Sequence, residues 1–242
     1  MRVAVISDIH GNLHALTRVL EAIELERPDE VWCLGDVVGY GPRPDECTLA
    51  VRGAATLALA GNHDLGVLGR LDLDDFSPEA AVAAQWTRGV LGDEARAFLA
   101  SLAPEAERSG ACLVHASPRD PVWEYVLTYD AAAVAIRSSA APVTLVGHSH
   151  IPLAISLDGG RVSGGHSPGG AETDLRTGRW LLNPGSVGQP RDRDPQAAWL
   201  LLDLDTMEAS YRRTPYDVEA TQAEMRSAGL PEPLAQRLTA GV

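Results

Sequence analysis

Residues 1–11, MRVAVISDIHG, decide how the rest of the chain is read. Val3 to Ile6 is a short β-branched run and predicts a buried strand. Asp8 and His10 follow it at once. Beyond Gly11, Asn12 can cap a helix whose apolar stripe is Leu13, Leu16, Val19, Leu20 and Ile23. Arg27, Pro28 and Asp29 end that helix. Val31 to Leu34 makes a second strand, with Gly35 and Asp36 at its end. Thr56 to Ala60 makes a third, followed by Gly61, Asn62, His63 and Asp64. Strands and helices alternating at this spacing predict right-handed crossovers and a parallel sheet.

The same punctuation recurs further along. Ala111 to Val114 reads as a strand ending at His115, and Val143 to Val146 as one ending at Gly147 and His148-Ser149-His150. Five separate segments therefore carry oxygen or nitrogen donors just past a strand, where open α/β sheets place their ligand crevice. Imidazole with carboxylate suits zinc, manganese, iron and similar divalent cations, whereas thiolate would suggest structural zinc. Asp8-x-His10 and His148-x-His150 have the spacing that turns two side chains to one face of extended chain. Two cations roughly 3.5–4 Å apart need a bridging carboxylate to reduce their repulsion, and Asp36 is the candidate bridge.

The remaining segments frame these tips. Ser77 and Pro78 open a helix over Ala80 to Leu91, Asp93 caps another through Leu102, and Asp130 opens a third. Leu153–Leu157, Arg161–Val162, Trp180–Leu182 and Trp199–Leu204 are short runs between turn signals, predicting hairpins and a second, more antiparallel sheet. Ser163 to Gly170 reads as a glycine-rich loop. Asp217–Ala228 and Pro233–Ala240 read as closing helices. The domain reading is 1–214 for the main body and 215–242 for a helical extension packed on it.

Bulk properties narrow the class. Over 242 residues, 45% hydrophobic and 22% charged composition is ordinary for a globular protein with a substantial core. A net charge of −13 argues against a broad nucleic-acid surface, although bound metals can still make a locally cationic pocket. Cys33, Cys47 and Cys112 are scattered and odd in number, which fits a reducing, cytoplasmic setting. No signal-peptide layout and no apolar stretch of membrane-spanning length is seen.

Asp8-Ile9-His10, Gly35-Asp36, Gly61-Asn62-His63-Asp64, His115 and Gly147-His148-Ser149-His150, in that order, resemble the calcineurin-like metallophosphoesterases, in their small bacterial and archaeal phosphodiesterase-type branch. Asn183-Pro184-Gly185-Ser186 extends the likeness. The resemblance implies a four-layer αββα sandwich, two central mixed β-sheets flanked by helices, with C-terminal helices added. It implies two divalent metals: one held by Asp8, His10, Asp36 and His150, the other by Asp36, Asn62, His115 and His148. Manganese is the first choice, with iron, zinc, nickel or magnesium as alternatives. The expected reaction is hydrolysis of a phosphate ester, a phosphodiester before a monoester, by a hydroxide bridging the metals. His63 is then the candidate to protonate or steady the leaving oxygen, with Asp64 orienting its ring.

Gly39 and Tyr40 stand where family members acting as Ser/Thr protein phosphatases carry Asp-Arg, which lowers the expectation of that activity. The other competing reading is a catalytically silent interaction module; it could dispense with donors that are all present here. Taken singly, Asp8 reads as a helix cap, Asn62 as a turn residue, and the histidines as surface or structural groups; the recurrence outweighs that. Asn62, then Arg119, Trp123 and Tyr125, just after His115, and Arg191 and Arg193, after Gly188-Gln189-Pro190, are candidate contacts to a small phosphate-ester or nucleotide-like substrate. A packed loop and a turn tied by Asp192 or Asp194 are the competing readings. His14 and His166 read as solvent-facing.

Overall fold

The computed structural model describes residues 1–242. Its twelve strands are β1 (Arg2–Ile6), β2 (Glu30–Cys33), β3 (Leu57–Ala58), β4 (Glu105–Arg108), β5 (Ala111–Val114), β6 (Val143–Leu145), β7 (Leu153–Asp158), β8 (Arg161–His166), β9 (Glu172–Asp174), β10 (Arg179–Asn183), β11 (Ala197–Asp203) and β12 (Glu208–Thr214). Its helices are α1 (Leu13–Glu26), α2 (Pro44–Ala54), α3 (Asn62–Val67), α4 (Pro78–Val90), α5 (Asp93–Ala100), α6 (Tyr129–Ser138), α7 (Val218–Ser227) and α8 (Glu232–Ala240). One sheet runs β3-β2-β1-β11-β12-β9 and the other β4-β5-β6-β10-β7-β8.

Alternation along β1 shows how the layers form. Val3 and Val5 join Trp32, Leu34, Leu113, Leu145 and Leu200 in the core between the sheets. Ala4 and Ile6 face the other way, under Leu16, Val19 and Val51 of the helices on the first sheet. Successive side chains of a strand point to opposite faces, so a strand buried on both sides is apolar throughout. On the far face of the second sheet, Ala132, Ala135 and Ile136 of α6 pack on Val146, Ile155 and Leu181. These are the four layers of an αββα sandwich. Helices α7 and α8 add a further cluster, in which Met225, Leu234 and Leu238 meet Tyr40 and Ala83.

Capping sets the helix starts. Asn12, Ser77, Thr128 and Asp217 each accept a hydrogen bond from the backbone N–H three residues on, satisfying donors the helix leaves free. Asp93 is not a cap: α5 begins on it and Gly92 precedes it. The later strands do not form one antiparallel sheet either. β7, β8 and β10 enter the second sheet beside β5 and β6, while β9, β11 and β12 extend the first, so both sheets are mixed. The first half of the glycine-rich stretch, Ser163 to His166, belongs to strand β8, which is paired along its length with β7. Gly164 sits there at φ +108°, where an added Cβ would collide with the Ala154 carbonyl.

Two sets of parallel neighbours position the site. β1, β2 and β3 are parallel in the first sheet, and β5, β6 and β10 in the second. Their carboxyl ends deliver the polar loops to one edge of the sandwich.

Candidate metal centre

The loops at this edge are backbone-strained. Asp8 (φ 53°), His10 (50°), Asp36 (52°), His148 (62°) and His150 (60°) are all left-handed. Such φ values are uncommon for residues with a side chain, costing on the order of 1–3 kcal/mol each, and persist where surroundings enforce them. Here the loops lock one another. The Asp8 N–H donates to the Gly35 carbonyl at 3.0 Å and the His10 N–H to the Asp36 carbonyl at 2.9 Å. The His148 N–H donates to Asp8 Oδ1 at 3.2 Å. The i, i+2 pairs therefore converge through left-handed turns, not through extended chain as their spacing suggested.

Three overlapping groups of donors result, each with its atoms within 4.8 Å of one another: Asp8, His10 and His150; His10, Asp36 and His63; Asp36, His115 and His148. All are buried. Asp36 Oδ2 lies 3.7 Å from His10 Nε2 and 3.4 Å from His115 Nε2, between the two sides. Asp8 Oδ1 is 3.5 Å from His150 Nε2, and Asn62 Oδ1 is 3.2 Å from His115 Nε2.

Three of the rings have a fixed tautomer. Nδ1 of His10, His115 and His150 faces the carbonyls of Val38 (3.1 Å), Leu34 (2.9 Å) and Gln189 (2.6 Å). A carbonyl only accepts, so each Nδ1 carries the proton and each Nε2 is turned inward. Asp8 Oδ2 and His148 Nε2 are buried with no partner at all. Orphaned buried polar atoms are rare and call for an ion or water. Nitrogen and carboxylate donors of this kind fit a divalent metal.

The electrostatics agree. Burial pushes His148 down to about 3 and holds His10 and His150 well below the usual imidazole range. These rings are neutral, the form that ligates. Burial opposes charge on Asp36, yet His115 and His63 beside it hold its carboxyl well below the usual range. Burial also disfavours a charged His115, but Asp36 outweighs it and pushes that ring up to about 9.

His63 opens α3 beside the cluster, its N–H donating to Asp36 Oδ1 at 2.8 Å. Its Nδ1 is buried without a partner, and burial pushes the ring down to about 4. Asp64 does not orient that ring. Its Oδ1 accepts from the Val38 N–H (3.0 Å) and its Oδ2 from the Gly61 N–H (2.9 Å), so it ties two ligand loops together. Gly61 itself must lack a side chain, because a Cβ there would strike the Asp36 carboxylate.

The expected substrate contacts separate into two groups. Arg119 is half-exposed and pairs with Glu124, its Nε 3.1 Å from Oε2, and makes no contact with the cluster. Trp123 packs edge-on against Phe76 at 5.0 Å, and Phe76 against His63 at 5.2 Å, so it supports the site from behind. Tyr125 is 47% exposed and stacks on the His148 ring at 4.0 Å. The Arg191 N–H donates to the His150 carbonyl at 3.3 Å, joining it to the donor loops. His166 pairs with Asp192 at 2.9 Å, and His14 lies 3.4 Å from Glu224.

The Asn183-Pro184-Gly185-Ser186 loop after β10, part of the sequence likeness but given no role there, ties the donor loops together. Asn183 Nδ2 donates to the Gly147 carbonyl (2.7 Å) and Ser149 Oγ (3.0 Å), and Ser186 Oγ donates to the Asp8 carbonyl (2.7 Å). This segment pins both halves of the donor set. Its signal was available: Asn183 closes the apolar run of β10 much as His115 follows that of β5.

A two-sheet sandwich with carboxylate and imidazole donors gathered at one edge is the architecture of a metallophosphoesterase. The crystal structure of the metallophosphoesterase from Sphaerobacter thermophilus superposes with a TM-score of 0.91 at 43% identity, covering 100% of this chain and 99% of that one. Residues 1–207 match the calcineurin-like phosphoesterase superfamily domain, and the chain belongs to that superfamily. An uncharacterized protein of Methanocaldococcus jannaschii is 38% identical over 99% of this chain and 98% of its own length. A symmetrical bis(5'-nucleosyl)-tetraphosphatase of Thioalkalivibrio sulfidiphilus is 37% identical over 71 residues, 28% of this chain and 26% of that protein.

Proposed function

We propose that this protein hydrolyses a small phosphodiester, nucleotide-like in character, at a site that takes two divalent metals, manganese before others. One observation carries the reading: a single carboxylate oxygen, Asp36 Oδ2, lies within 3.7 Å of histidine nitrogens belonging to two different donor groups. Asp8, His10 and His150 would complete one metal's set, and Asn62, His115 and His148 the other's. Bound metals supply Lewis acidity toward phosphoryl oxygens and activate water near neutral pH.

The chain's own residues do the rest. The five left-handed donors are held rigid by neighbouring loops, so the site is organised before substrate arrives. His63, neutral at pH 7 and with an unpartnered Nδ1, is set to steady the leaving oxygen by hydrogen bonding. Tyr125, half-exposed and stacked on His148, offers a face to a planar leaving group. The partial likeness to a dinucleoside tetraphosphatase supports a nucleotide-like substrate. No helix is long and apolar enough to cross a membrane, and the cysteines remain thiols, in keeping with a cytoplasmic setting. The test is a hydrolysis screen across nucleotides, cyclic nucleotides, dinucleotides and aryl phosphates with Mn, Ni, Zn and Mg. Turnover of diesters above monoesters is expected; hydrolysis of phosphopeptides but not diesters would overturn the ranking.

A further inference from the structure

Gly39-Tyr40 leaves this site without an arginine from the loop after β2, yet a guanidinium is present from elsewhere. The loop after β10 brings Arg191 alongside. Its backbone is bonded to the His150 carbonyl, its Nη2 donates to Gln189 Oε1 at 2.8 Å, and the same nitrogen reaches the Tyr40 hydroxyl at 3.5 Å. Its Cζ lies 5.9 Å from the centre of the Tyr40 ring. That ring is 4.5 Å from the ring of His10 and 4.4 Å from that of His63, so the guanidinium borders the donor cluster. Arg191 Nε is buried and donates to nothing. A guanidinium has five N–H donors and no acceptor, and leaving one buried and unpaired is unfavourable unless a ligand oxygen arrives.

Two residues fix this arginine. Gln189 is 1% exposed; its carbonyl accepts from His150 Nδ1 and its Oε1 accepts from Arg191. Tyr40 is left-handed (φ 53°) and its ring is walled in by Met225, Leu234 and Leu238 of the C-terminal helices. Those helices also grip the arginine's loop directly. Arg237 Nη1 reaches Gln189 Oε1 at 3.5 Å, and the Arg193 N–H donates to the Gly241 carbonyl at 2.8 Å.

We propose that Arg191 binds a non-bridging phosphoryl oxygen at this site, that Tyr40 and Gln189 are its positioning residues, and that α7 and α8 hold the assembly in place. The proposal rests on the phosphoesterase reading and specifies how its substrate is held. Arginine suits this task because its planar fork matches two oxygens at once, which a lysine point charge does not.

The probe is inorganic phosphate, titrated calorimetrically into the full-length, manganese-reconstituted protein. Arg191→Ala is expected to weaken phosphate binding about 10- to 100-fold with metal content unchanged. Arg191→Lys should recover part of that loss. Gln189→Leu and Arg237→Ala should raise KM for an aryl phosphodiester several-fold while kcat changes less, which a general loss of fold would not do. Melting curves and metal content identify any variant that misfolds, and Arg191→Lys then decides in place of Arg191→Ala. Wild-type phosphate affinity in both Arg191 variants, or no phosphate binding by the wild type, overturns the proposal. Arginine-dependent phosphate binding without ester turnover would sink the hydrolase reading and leave the clamp standing. Turnover indifferent to Arg191 would do the reverse.

Discussion

Nε2 of His10 and Nε2 of His150 lie 3.0 Å apart, and in both rings it is Nδ1 that donates to a backbone carbonyl. Two unprotonated nitrogens at that distance aim lone pairs at each other. With metal–nitrogen bonds of about 2.0–2.1 Å, one cation can bond both at that separation. Burial keeps both rings from protonating, so a proton is a poor substitute there.

Metal removal should therefore cost stability. Ion bound at about 100 times its dissociation constant stabilises the folded state by about 2.7 kcal/mol. In a domain of this size that corresponds to a rise of about 5–10 °C in Tm. Calorimetric scans with excess manganese and with EDTA check this. Identical melting temperatures would show that the facing nitrogens hold no ion.

His63→Ala should retain metal while lowering kcat by about 10²–10⁴-fold, the range typical of a lost acid–base or hydrogen-bonding group. Residue 63 donates to Asp36 Oδ1 through its backbone N–H, not through the ring, and that bond survives the substitution. Metal content by elemental analysis and steady-state kinetics on one diester separate the two effects. Wild-type kcat would remove His63 from the chemistry.

Metal affinity should rise with pH. Burial pushes Asp8 up to about 7, partly offset by the charge of His115. His115 is pushed up to about 9 by Asp36 against the effect of its own burial. Below those values each group carries a proton that it must release to bind metal. Each bound proton competes with metal, so the apparent dissociation constant should fall from pH 6 toward pH 9 and then level off. Competition against a chromophoric chelator at pH 6, 7.5 and 9 measures it. A flat profile would contradict this assignment of the protons.

Much of the site could be read from the chain because each donor follows an apolar β run, and a strand's end is a local property. Val3–Ile6 before Asp8 and Ala111–Val114 before His115 are examples. How the donors converge could not be read: Asp8 and His150 meet through left-handed turns held by bonds from distant loops. Which sheet a late strand joins is likewise a matter of non-local pairing, so the Trp199–Leu204 run, read with the second sheet, is β11 of the first, beside β1. β4, reading Glu-Ala-Glu-Arg, escaped notice because an exposed edge strand carries polar residues in place of an apolar run. Tyr40 and Gln189 matter through what packs on them from residues 225–238, which neither local pattern nor charge reveals.

Metal stoichiometry in wild type and Asp36→Asn tests the binuclear site most directly. After reconstitution with manganese and removal of free ion, elemental analysis should find two ions per wild-type chain and a clear loss of occupancy in the variant. A single ion per wild-type chain, or undiminished occupancy once the Asp36 charge is gone, would contradict a centre bridged by that carboxylate.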